Sequence, residues 1–359
     1  MTRRSIIKCL VLVGIMAVAV ATGLLSSDAK QPAAKNKPVK RTNGWPAEAK
    51  RIEYLSKADN SMQPAYYYSP ATEEAVPLIV GLHTWSGNLD QVNISFLKYA
   101  KEHNWAMIYP NFRGPNWTPE GCGSDLVVED IVSAVEYVKS TRKIDASRIY
   151  LMGSSGGGYL SLLMASRHPE IWAGVCAWVG IADLAAWHAE TKARKISYYQ
   201  HLEKACGGVP GASPEVDAQY KHRSAITWAQ GAKRVPLSIN HGIHDGHTGS
   251  VPVSHSLNFF NKIVPQDKQI SDADIKYIVE REAIPESLAK NVPVDPAYGE
   301  ERKVLFRRES DNTRLTIFEG GHTCVSQAGL DWLARQVKGK PADWTIFDAS
   351  GTESSEVQK

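Results

Sequence analysis

Along the chain from about residue 47, short and nearly continuous apolar runs alternate with longer stretches whose apolar residues recur every third or fourth position. The run Val76–Leu82 is apolar from end to end, as expected of a strand covered on both faces. Residues 106–109, 148–152, 174–179, 237–240 and 314–318 read as further strands. Between them, residues 91–103, 125–142, 159–167 and 326–337 read as helices. In the second of these Leu126, Val127, Ile131, Ala134, Val135 and Val138 form the apolar stripe, and Asp125 is the expected N-cap. Residues 51–56 and 63–69 predict an early antiparallel pair. This alternation predicts an α/β domain over residues 46–345, a mostly parallel central sheet flanked by helices.

Two stretches break the rhythm. Residues 184–220 hold helix-like pieces and aromatics between two sheet strands, where a cap over the sheet would be inserted. Residues 265–313 form a charged insertion with a helix over Asp272–Arg281, followed by a hairpin that turns at Asp311-Asn312. No repeat of fixed period is present, which argues against a propeller or a solenoid.

The first 25 residues have the layout of a signal peptide: Arg3, Arg4 and Lys8, then an apolar stretch to about Leu25 with small residues at Ala19, Ala21 and Gly23. Cleavage is expected near Ala21 or Gly23, with Ala29 as another site. The two arginines fit a twin-arginine signal as well as an ordinary secretory one. Residues 26–45 read as a disordered linker and 346–359 as a disordered tail. Export to the periplasm or beyond is therefore expected, with no stable membrane insertion once the signal is cleaved. Export permits disulfides. One pair is expected among Cys122, Cys206 and Cys324, with Cys122–Cys206 preferred, while Cys176 lies in an apolar run and reads as core.

Composition narrows the class. A 43% hydrophobic and 22% charged content over 359 residues suits a soluble globular protein, and a net charge of +3 without basic-aromatic runs argues against nucleic acid.

The chemistry is concentrated at Gly153-Ser154-Ser155-Gly156-Gly157, a G-x-S-x-G sequence between a predicted strand and a predicted helix. In that setting the serine sits on a tight strand-to-helix turn with its hydroxyl outward, which makes Ser155 a candidate nucleophile. A serine hydroxyl needs a base and a group to orient that base. Two strand-end loops offer them in the order this arrangement uses: His241-Gly242-Ile243-His244-Asp245-Gly246 supplies Asp245, and Glu319-Gly320-Gly321-His322 supplies His322. Asp183, also after a strand, reads better as a helix cap. The oxyanion donors are expected to be the backbone N–H groups of Gly156 and Trp85. Trp85 follows Thr84, which stands where many such loops carry a glycine. His241, His244 and His247 recur every third residue, but at a strand end that spacing does not gather three ligands, so no metal is expected.

These motifs, with Asn111-Phe112-Arg113-Gly114, resemble the catalytic domain of the prolyl oligopeptidase family. More broadly they resemble α/β-hydrolases of the dienelactone hydrolase and secreted esterase type. The likeness runs over roughly residues 50–340 and weakens in the two insertions. It implies an α/β-hydrolase fold with an inserted cap, a Ser155–Asp245–His322 triad and no cofactor. Propeller-bearing members restrict entry to peptides; here about fifty residues precede the first strand, too few for one or two blades, which favours an ester substrate. Arg113, Trp117 and Trp187 follow strands and are expected at the substrate cleft, where tryptophan faces suit sugars or aromatic acyl groups. Trp178 and Trp332 read as core. Lys192, Arg194, Lys195 and Lys204 of the cap read as a solvated face. Three functions follow: an esterase acting on polysaccharide acetyl, methyl or feruloyl groups, a peptidase of short peptides, or a non-catalytic glycan-binding protein on a hydrolase scaffold.

Overall fold

The computed structural model describes residues 44–347 with 352 and 353; the predicted signal peptide, nearly all of the predicted linker and most of the predicted tail lie outside the described residues. Nine strands form one sheet: β1 Lys50–Leu55, β2 Met62–Tyr68, β3 Val76–Leu82, β4 Ala106–Pro110, β5 Ile144–Ser154, β6 Gly174–Trp178, β7 Leu237–Gly242, β8 Val304–Ser310 and β9 Thr313–Phe318. Their spatial order is β1-β2-β4-β3-β5-β6-β7-β9-β8. The six strands from β4 to β9 in that order pair in parallel, with an antiparallel pair at one edge and the β8–β9 hairpin at the other.

Both faces are covered, and the residues alternate between them. On β3, Leu78, Val80 and Leu82 join one buried cluster while Ile79 joins the other. On β5, Ile149 and Leu151 oppose Tyr150 and Met152 in the same way. That two-sided burial is why these strands read as continuous apolar runs. The helices are α1 Ile94–Glu102, α2 Asp125–Thr141, α3 Gly156–Arg167, α4 Leu184–Ala193, α5 Tyr198–Cys206, α6 Pro214–Arg223, α7 Ser254–Ile263, α8 Asp272–Arg281 and α9 Ser326–Ala334. Ser124, not Asp125, caps α2: its Oγ accepts from Val127 N, and Asp125 in the first turn instead bonds His222 and Arg167. Helix α7 carries no prediction from the sequence, although Leu257, Phe259, Phe260 and Ile263 make its buried face.

Between β6 and β7 the chain makes three helices, α4 to α6, and a 3₁₀ segment Ala225–Arg234. The strand order reverses direction beside β3, since β4 lies on one side of it and β5 on the other. At such a switch point, the loops leaving the carboxyl ends of adjacent strands diverge and leave a crevice between them. The loops leaving β3 and β5 begin at His83 and Ser155. Trp178 and Trp332 are buried, as expected of core residues. The expected disulfide is not formed: Cys122, Cys176, Cys206 and Cys324 are all free thiols. Cys122 and Cys206 pack instead as small apolar groups in the core, where burial pushes the Cys206 thiol up to about 11 and Cys122 higher.

Candidate active site

Ser155 occupies the sharp turn between β5 and α3 with φ 59° and ψ −119°, a region L-residues avoid. The turn is held because Ser155 N donates to Trp178 O at 2.9 Å and Tyr159 N to Ser155 O at 2.8 Å. It also requires glycine behind it. A Cβ at Gly156 would strike Trp85 N, and one at Gly157 would strike the Leu82 carbonyl. The start of α3 therefore packs directly on the backbone of the β3 loop. Among the described residues, neither the Trp85 nor the Gly156 amide donates to a protein acceptor, so two unpaired N–H groups lie side by side next to Ser155. Behind them the buried His83 ring lies 3.0 Å from both the Thr84 and Asn111 carbonyls and stacks on Phe112, which fixes the loop.

Asp245 and His322 come together. His322 Nδ1–H donates to Asp245 Oδ2 at 2.6 Å. The β7 and β9 loops that carry them are bonded through His244 N to Gly320 O, 2.9 Å, and Ile243 N to Phe318 O, 3.0 Å. Asp245 is buried, and Gly246 N and Val251 N donate to its Oδ1 at 2.9 and 3.1 Å. Burial opposes ionisation, but hydrogen bonds from His241 and His322 outweigh it and hold the carboxyl well below the usual range. The His322 side chain is 25% exposed. The Ser155 hydroxyl and His322 are not hydrogen-bonded to each other, and Ser155 Oγ has no protein partner among the described residues. From β5 to β9 the sheet spans three strand spacings, about 14 Å.

Other expected site residues take different places. Arg113, expected at the substrate cleft, is held by two protein carboxylates. Its Nε and Nη2 grip Asp130 at 2.7 and 2.9 Å, while Nη1 and Nη2 reach Asp59 at 2.8 and 3.0 Å. Those two carboxylates occupy the guanidinium edges, so Arg113 clamps the loop after β4 to α2 and the β1–β2 turn. Trp187 is not at an open face either. It is 1% exposed, its Nε1–H donates to Ser250 O at 2.8 Å, and its ring stacks on Tyr198 and meets Trp85 edge-on. Trp117 is half-buried and packs 5.1 Å from His201, a residue the sequence reading missed. Trp85 Nε1–H donates to His201 Nδ1 at 3.3 Å, so neutral His201 carries its hydrogen on Nε2; burial and then Lys204 lower its pKa. The only signal for His201 was its place in an aromatic-rich helix.

Asp183 caps α4 by accepting from Ala185 N and Ala186 N. Of the three histidines at the β7 end, His241 is buried while His244 and His247 both face Glu282. His241 is buried against Ser256 and Val251, His244 bridges Glu282 and Glu319, and His247 meets the Val279 carbonyl. Of the cap's basic residues, Lys192, Lys195 and Lys204 are exposed, but Arg194 Nη2 donates to Gly249 O at 2.7 Å, beside the Asp245 loop.

Residues 98–277 match the model of the prolyl oligopeptidase family, which covers half of the chain. The chain belongs to that family. Its matched part includes Ser155 and Asp245. Among curated relatives, feruloyl esterase B of Thermothelomyces thermophilus is 29% identical over 156 residues, 40% of this chain and 53% of that protein. Acetylxylan esterase A of Emericella nidulans is 26% identical over 137 residues, 34% of this chain and 44% of that protein. The chain thus spans about half the length of these relatives. A solved acylaminoacyl peptidase of Pyrococcus horikoshii superposes with a TM-score of 0.54 at 15% identity, over 82% of this chain and 42% of that one, and so shares the α/β-hydrolase fold.

Proposed function

We propose that the protein is an exported serine hydrolase that cleaves carboxylic esters through an acyl-enzyme, with acetyl, methyl or feruloyl esters of polysaccharide as its substrates. The observation that carries the reading is the pair of unpaired amides at Trp85 and Gly156 against the strained Ser155 turn. A buried Asp245 hydrogen-bonded to a partly exposed His322 on neighbouring loops supports it. In this reading Ser155 Oγ attacks the ester carbonyl while His322 Nε2 takes its proton. The carbonyl oxygen becomes an oxyanion held by the Trp85 and Gly156 N–H groups. Asp245 keeps Nδ1–H of His322 fixed, which leaves Nε2 as the basic nitrogen, and stabilises the imidazolium that forms. The proton then passes to the leaving alcohol, and a water repeats the sequence to release the acid. No metal or organic cofactor enters.

The ester class is supported by relatives named for feruloyl and acetylxylan esters. Trp117 and His201 are the half-buried groups beside Trp85 that suit a ring or acyl face. A peptidase reading draws on the family assignment and on a solved neighbour named as a peptidase. The test gives the protein p-nitrophenyl acetate, acetylated xylan, methylated pectin and dipeptide nitroanilides, alongside Ser155→Ala. Ester turnover that falls by about 10⁴-fold or more in the variant supports the proposal. Turnover of nitroanilides alone would establish the peptidase, and glycan binding with no turnover would establish a binding protein.

A further inference from the structure

His241, at the end of β7 and four residues before Asp245, is fully buried and touches that carboxylate without a part in the reaction. We infer that His241 is a positioning residue that acts through Asp245 to orient His322 and set its basicity. The inference rests on the function proposed above.

Its hydrogen position follows from its neighbours. Nε2 lies 3.0 Å from the Val251 carbonyl and 3.2 Å from Asp245 Oδ2. Both are acceptors when the carboxyl is ionised, so Nε2 carries a hydrogen. Nδ1 lies 2.7 Å from Ser256 Oγ, whose hydroxyl donates to it when the ring is neutral. Ser256 on α7, His241 on β7, Asp245 and His322 therefore form one chain of polar contacts, with the Nε2–H of His241 bonded to the Val251 carbonyl and set 3.2 Å from Asp245 Oδ2. Oδ2 of Asp245 accepts from His322 and lies 3.2 Å from His241 Nε2, while Oδ1 accepts from the Gly246 and Val251 amides.

Two consequences follow. The second histidine competes for the oxygen that His322 bonds, so its loss leaves that oxygen freer to hold the His322 Nδ1–H. It also fixes the plane of the carboxylate. Because His241 and the carboxylate are both sealed from solvent, no water can replace the lost donor. Other charged groups around the chain are committed elsewhere: His244 to Glu282, just after α8, and to Glu319 after β9, His247 to Glu282, and Arg194, just after α4, to the Gly249 carbonyl. None of these hydrogen-bonds His241.

The experiment follows the His322 Nδ1 proton and ring pKa by NMR, and the pH profile of kcat/KM for p-nitrophenyl acetate, in the full chain and its variants. In His241→Asn, which loses the Nε2 donor, the His322 pKa is expected to rise by about half a unit to one unit. The acidic limb of kcat/KM should move with it, and kcat should fall about tenfold. His241→Gln, whose amide N–H reaches the Nε2 position, should restore both. Should His241→Asn fail to fold, Ser256→Ala takes its place, with a smaller shift of the same sign. An unmoved His322 pKa in a folded variant, or glutamine no better than asparagine, would show that His241 only packs. The NMR titration needs no turnover, so a wild-type protein inert toward every ester would sink the esterase proposal while leaving this one measurable.

Discussion

Arg113 and Asp245 are both held in place by opposite or complementary partners, and substitution should separate a clamp from a chemical part. Removing Arg113 leaves Asp130, whose side chain is fully buried, without its partner. Arg113→Ala is expected to cost about 3–5 kcal/mol of stability, read by urea unfolding, with KM nearly unchanged. A raised KM at unchanged stability would return Arg113 to the substrate cleft. Asp245 has a native pKa below its unfolded value. Its stabilising contribution is therefore complete above about pH 4 and fades as pH falls toward the native pKa. The stability gap between wild type and Asp245→Asn should accordingly be wider at pH 6 than at pH 3 in paired unfolding curves. The sequence placed Asp245 and His322 on loops that the structure bonds together, because both follow buried strands that announce themselves. It could not show that Arg113 was already taken, since Asp59 and Asp130 reach it from 54 and 17 residues away.

The turn from β5 into α3 is where local geometry and chemistry meet. A methyl group on residue 156 has to displace the Trp85 amide, so Gly156→Ala is expected to lower kcat about 10²-fold or more with little change in KM. Loss of KM alone would mean that the two amides serve binding rather than an oxyanion. Among helices, the sequence reading worked where a single stripe faces the sheet, as in α2. It failed for the cap aromatics because Trp187 has no such stripe: its partners are Trp85, Tyr198 and the Ser250 carbonyl, from three separate segments. Ser124→Ala, which removes the α2 cap, should cost about 1 kcal/mol in the same unfolding assay, whereas Asp125→Ala should leave that cap intact.

Taken whole, the described chain is an open sheet with its proposed chemistry at the switch point and its cap tied to the acid loop by Trp187 and Arg194. Among the described residues no helix is long and apolar enough to cross a membrane. Expressed from Met1, the protein is expected outside the cytoplasm with a new N-terminus after Ala21, Gly23 or Ala29; N-terminal sequencing that finds Met1 would overturn export. The unbridged, inward-facing thiols bear on how such a molecule matures. Nothing in its core waits on an oxidant, so refolding should run at the same rate in glutathione of either redox state. Dithiothreitol in a storage buffer should neither loosen the protein nor silence it, and a reducing expression host should yield material as sound as an oxidising one.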